Sequence, residues 1–166
     1  MERTLVVGFG NSYRRDDGAG RAVVNLLREN LGRQPLADDD DGFDDLGHRV
    51  DAVVLHQLVP ELAEDFKEYD QVIFVDAHTG NIEEPLYEKK LEAAYETPFV
   101  YHQTRPETIL ALAKQMHGKS PEGVLLSLRG YDFDFGQELS TETAALVPKA
   151  VSKILQWVEE DSPADA

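Results

Sequence analysis

The residues best suited to chemistry in this sequence are a pair of acids after a glycine-rich turn, an acid ending an apolar run, and a few histidines. Asp16 and Asp17 follow Gly8-Phe9-Gly10-Asn11-Ser12-Tyr13-Arg14-Arg15 and precede Gly18-Ala19-Gly20. Two glycines after an apolar segment suit a tight, closely packed turn. They also suit the start of a dinucleotide fingerprint, Gly-x-Gly-x-x-Gly, in which a pyrophosphate reaches a helix N-terminus. Here the third glycine position holds Tyr13, and the acids at the helix start would repel a pyrophosphate, so nucleotide binding is disfavoured. Asp76 closes the run Gln71-Val72-Ile73-Phe74-Val75. His102 stands in Tyr101-His102-Gln103, ahead of a helical stretch. Taken singly, each has a plain structural reading: Asp17 beside a helix N-terminus, Asp76 capping a turn, His102 as a packing histidine. His78, two residues after Asp76, is placed to support the same region, while His56 ends a strand and His48 and His117 read as surface-loop residues. There is no Gly-x-Ser-x-Gly elbow and no His-Glu-x-x-His. With no cysteine, thiol nucleophiles, disulfides and thiolate metal sites are excluded.

The elements that must position these residues are legible from hydrophobic spacing. Thr4 to Gly10, Val50 to Leu55, Gln71 to Asp76 and Gly123 to Arg129 are apolar runs expected to form buried strands, with a further strand from Leu86 to Leu91. Between them, Asp17 to Leu31, Pro60 to Tyr69 and Thr104 to Met116 have helical periodicity. A closing helix runs from Thr141, capped by Ser140, to Glu160, and Pro148 is expected to kink or restart it. Strands alternating with helices imply a single α/β domain over residues 1–160. It is a three-layer sandwich with a mostly parallel sheet and helices on both faces. Ligands of such sheets bind beyond the carboxyl ends of the strands. Asp17 and Asp76 therefore belong on one rim, and His102 reaches it if the segment from Tyr95 to Tyr101 folds back. Residues 161–166 are expected to fray.

The string Val6-Val7-Gly8-Phe9-Gly10-Asn11, followed by Asp16-Asp17-Gly18-Ala19-Gly20, resembles the N-terminal signature of hydrogenase maturation endopeptidases. The likeness continues at Val72-Ile73-Phe74-Val75-Asp76-Ala77, at Tyr101-His102-Gln103, and at Leu55-His56-Gln57-Leu58-Val59-Pro60-Glu61-Leu62. It spans most of the chain, from Leu5 to about Val151. What the resemblance implies is a peptide-bond hydrolase. It would remove the C-terminal extension of a nickel–iron hydrogenase large-subunit precursor once nickel is in place. Asp17, Asp76 and His102 fall on the family's three metal-contacting positions, with Asp17 where some members carry Glu. The nickel would arrive in the precursor rather than reside in the protease. Two carboxylates and an imidazole suit a borderline divalent ion, and three protein ligands leave positions open for the substrate's own. The peptide bond would be attacked either by a water oriented by a carboxylate or at a carbonyl polarised by the metal. A reading of another class uses the same residues: a non-catalytic, nickel-dependent maturation chaperone or checkpoint that binds the precursor only.

Composition narrows the partners. The 166 residues carry a formal net charge of −16, which disfavours nucleic acid and anionic membrane as partners. No run approaches the roughly 20 apolar residues of a membrane span. Met-Glu-Arg-Thr leads straight into a strand with no secretory-signal pattern, and the expected location is cytoplasmic. Residues 38–45 hold six carboxylates in eight positions and read as a solvated acidic loop, not a calcium loop.

Overall fold

The computed structural model describes residues 2–94 and 104–160. The 95–101 segment, His102 and the 161–166 tail lie outside the described residues.

Five strands form one sheet: β1 (Thr4–Phe9), β2 (Val50–Leu55), β3 (Gln71–His78), β4 (Leu86–Leu91) and β5 (Glu122–Arg129). Their order is β2-β1-β3-β5-β4. The first four strands in that order pair in parallel, and β4 adds antiparallel to β5. β1 and the first five residues of β3 are buried on both faces, as continuous Val, Leu, Ile and Phe runs require. β4 closes one edge with Glu88, Lys89 and Lys90 exposed, a charged rim that discourages pairing with another sheet.

Alternate residues of the strands feed two cores. Val6, Ile73, Val75, Leu126 and Leu128 pack under α1 (Ala19–Asn30) and α3 (Thr141–Glu160). Leu5, Val7, Val53, Val72 and Phe74 pack under α2 (Pro106–His117) and a 3₁₀ helix at Pro60–Glu68. This is the single-domain, three-layer α/β sandwich read from the sequence. The helix expected after Pro60 is wound as 3₁₀, with Leu62, Ala63 and Phe66 still buried. α1 begins at Ala19, two residues later than its acidic start suggested, because Arg15–Gly18 forms a separate 3₁₀ turn. α3 runs through Pro148 without a break. Pro148 and Ala144 are both exposed, so water can serve the carbonyl that the missing N–H leaves free. Ser140 does cap that helix: its Oγ accepts from Thr143 N at 3.3 Å.

Five of the six acids in the 38–45 loop are exposed, as expected of a solvated segment. The segment is nevertheless tied down. Val54 N donates to Asp41 O at 2.9 Å, and the buried Arg28 reaches Asp45 at 2.8 Å. His48 also bonds Asp45 at 2.9 Å, and His117 bonds the Ala63 carbonyl at 3.0 Å, so neither is a free surface histidine. Among the described residues, no helix is long and apolar enough to cross a membrane.

Candidate active site at the β1–β3 switch point

The chain leaves β1 toward β2 on one side, while β3 adds on the other. The carboxyl ends of β1 and β3 therefore flank the topological switch point, where a crevice opens in sheets of this kind. Asp76 lies near the end of β3, and Asp17 lies in the 3₁₀ turn that follows β1.

Glycines bring the segment after β1 close to β3. A Cβ on Gly20 would lie 2.6 Å from Val75 O and 2.9 Å from Phe9 N, so the start of α1 rests directly on backbone. Gly10 has φ +140° and backs onto Asp17, a position that strains any side chain. The paired glycines thus serve close packing, the alternative that the sequence had set beside a nucleotide loop.

The acidic pair divides its labour. Asp16 is fully buried and points away from the crevice, into the 130–140 segment. It accepts from Tyr131 N at 2.7 Å, Asp132 N at 2.9 Å, Ser140 N at 2.7 Å and Ser140 Oγ at 2.7 Å. Burial opposes its ionisation, but these four bonds outweigh burial and hold its pKa below the ordinary value. Arg15 takes up a left-handed φ of 44° just before it. That conformation is held by Arg15 N donating to Gly136 O at 2.8 Å and by the guanidinium on Asp132 at 2.6 Å. Asp17, half-buried, instead accepts from Asn11 N at 2.7 Å, which fixes its carboxylate over the turn.

Asp76 lies on the sheet face covered by α2, with Ser127 opposite it in β5. Its Oδ1 is buried without a hydrogen-bond partner. Burial, reinforced by the charge of Asp17 and partly offset by a hydrogen bond from Ser127, pushes its pKa up to about 6. Ser127 also meets His78 Nδ1 at 3.0 Å. Ser127 thus stands between His78 and Asp76 on one face of the sheet. Burial lowers the pKa of His78 and so favours its neutral ring. The parts played by Ser127 and Asp16 were not legible beforehand: one depends on strand register, the other on a segment more than a hundred residues away.

Among the described residues, no group of three Asp, Glu or His side chains could hold a metal ion. The two carboxylates form an incomplete set, and His102 lies outside the described residues. His56 lines a cavity of about 110 Å³ with Gly8, Gly10, Arg21 and Asp38.

The α/β sandwich with paired acids at its switch point defines a class: this is the fold of the hydrogenase maturation proteases. The solved structures most similar to the chain include the hydrogenase maturating endopeptidase HybD from E. coli. That match has 20% identity and a TM-score of 0.66 over 99% of each chain. The hydrogenase 2 maturation peptidase from Thaumarchaeota archaeon SCGC_AB-539-E09 matches at 26% identity and TM-score 0.61, over 95% of this chain and 98% of that one. The NiFe hydrogenase maturation protease HybD from Thermococcus kodakarensis matches at 20% identity and TM-score 0.64, over 94% and 99%. No family model matches the chain, and no curated protein matches it in sequence. The family resemblance read from the motifs thus meets the same family in the fold comparison.

Proposed function

We propose that this chain is a cytoplasmic endopeptidase of hydrogenase maturation. It removes the C-terminal extension of a nickel–iron hydrogenase large-subunit precursor after nickel insertion. The observation that carries this reading is Asp76: a carboxylate with a buried, unpartnered Oδ1 at the switch point, its ionisation opposed further by the charge of Asp17. A fold does not keep such an oxygen dry and unbonded without cost. A divalent ion arriving in the precursor supplies the missing partner. Asp17 and Asp76 balance its charge, His102 adds an imidazole, and the remaining positions belong to the precursor's own ligands. The hydrogen bond from Asn11 N orients Asp17, and Ser127, held by His78, stands opposite Asp76. Bond cleavage follows either from a water oriented by a carboxylate or from polarisation of the scissile carbonyl by the ion.

The test is mass spectrometry of nickel-loaded precursor incubated with purified protein. The reading requires a shortened large subunit and a released peptide. It also requires a loss of about 100-fold or more in rate for His102→Ala with an unchanged circular-dichroism spectrum. Stable binding of the precursor with no shortening would identify a nickel-dependent checkpoint instead.

A further inference from the structure

At the end of the strand next to β3 stands an arginine with no ion pair among the described residues. β5 ends at Arg129, which lies opposite His78 just as Ser127 lies opposite Asp76. Alternate strand residues share a face, so Ser127 and Arg129 stand on the face that carries Asp76 and His78. Arg129 is one strand over and two residues, roughly 7 Å, further out toward the crevice than Ser127.

Its guanidinium is held flat. The Cζ sits 4.8 Å from the centroid of the Tyr131 ring. A Cβ on Gly80 would come within 3.1 Å of Nη2 and 3.2 Å of Cζ and Nε, so this glycine, at φ +96°, leaves room for the group. Nε is buried without a hydrogen-bond partner, and Arg129 makes no ion pair among the described residues. Acids are not scarce: Asp and Glu number 32 against 16 Lys and Arg. Arg3, Arg15 and Arg28 each reach a carboxylate at 3.0, 2.6 and 2.8 Å. Arg129 is fixed in orientation yet left without one, at the mouth of the crevice.

We propose that Arg129 binds a carboxylate side chain of the protein substrate beside the bond to be cut. The inference rests on the protease reading of the Asp17–Asp76 site. A planar guanidinium fork accepts a carboxylate through two parallel N–H donors, which fixes orientation as well as position. Packing against Gly80 and Tyr131 sets the plane of the fork in advance, so less freedom is lost on binding. Arg129 also offsets the repulsion that Asp17 and Asp76 exert on an acidic segment threading past them.

The experiment measures processing and binding of nickel-loaded large-subunit precursor from the same organism, at low and high salt. The proteins are the parent, Arg129→Ala and Arg129→Lys. The expected result for Arg129→Ala is a KM and a Kd raised on the order of tenfold with kcat little changed, the loss of one charge-assisted contact. Arg129→Lys recovers part of it, having charge without the fork. The parent's KM rises with salt, and the Arg129→Ala value rises less. Unfolding midpoints of the variants identify any loss caused by packing. Unchanged KM and Kd, or a fall in kcat alone, overturn the proposal while leaving the protease reading intact. If the parent binds the precursor without cutting it, the protease reading fails and Arg129 is judged on Kd. If the parent neither binds nor cuts, both fall.

Discussion

Asp16 and Asp17 are neighbours of one chemical type with opposite duties, and substitution separates them. Removing the Asp16 carboxylate strands three backbone N–H groups and a hydroxyl that it serves. Asp16→Ala is expected to cost on the order of 2–4 kcal/mol, read from urea unfolding. Asp17→Asn keeps an acceptor for Asn11 N and should leave the unfolding midpoint nearly unchanged while abolishing processing. Equal destabilisation by both would contradict the division of labour. Asp76 makes a sharper case. Its pKa is raised from 3.8 to about 6, so the folded state holds its proton more tightly than the unfolded chain does. Its contribution to stability is complete below about pH 4 and is lost as pH rises through about 6. Asp76→Asn, which cannot ionise, should therefore be more stable than the parent at pH 7–8, by roughly 1–3 kcal/mol in unfolding free energy. The difference should vanish near pH 4, and processing should be lost throughout. A variant less stable than the parent at pH 8 would refute the buried, unpartnered state of this carboxylate. The sequence pointed to Asp17 and Asp76 as types at strand ends. It could not assign Asp16 to the far segment, because nothing local in Asp-Asp-Gly distinguishes an acid that staples a distant loop from one that faces a crevice.

At the scale of elements, β2 was legible to the residue because its apolar run is bounded by turn-forming segments, and β4 matched its expected bounds although its middle is Glu88-Lys89-Lys90. The helix boundaries were less so. The start of α1 is displaced by the tertiary bond from Arg15 N to Gly136 O, which imposes a 3₁₀ turn that no local propensity announces. The Pro60 segment is wound as 3₁₀ although its spacing of apolar residues fits an α-helix. The glycines were read correctly as close packing or phosphate loop, and geometry chose the first. Gly20→Ala should push α1 off β3, since its Cβ would meet Val75 O at 2.6 Å. A destabilisation of about 1–3 kcal/mol is expected, together with loss of processing, because Asp17 moves with the helix start. A fully stable, active Gly20→Ala protein would show that this close approach does not position the site.

Across the whole molecule, a net charge of −16 sits on a fold whose acidic 38–45 segment is largely solvated but anchored through Asp45 to the buried Arg28. Asp39→Asn should leave urea unfolding unchanged, whereas Asp45→Ala should lower the midpoint by leaving the Arg28 charge without its carboxylate. On the proposed function, Asp17 and Asp76 would offer an ion two carboxylates and His102 an imidazole, a set that is incomplete without ligands from a substrate. On that proposed function, precursor and protease complete one coordination sphere between them. The measurement that tests it most directly is cleavage of a single purified precursor prepared with and without nickel, followed by mass spectrometry over the same time course. Cleavage of the nickel-loaded form alone is predicted; equal cleavage of both forms would contradict it.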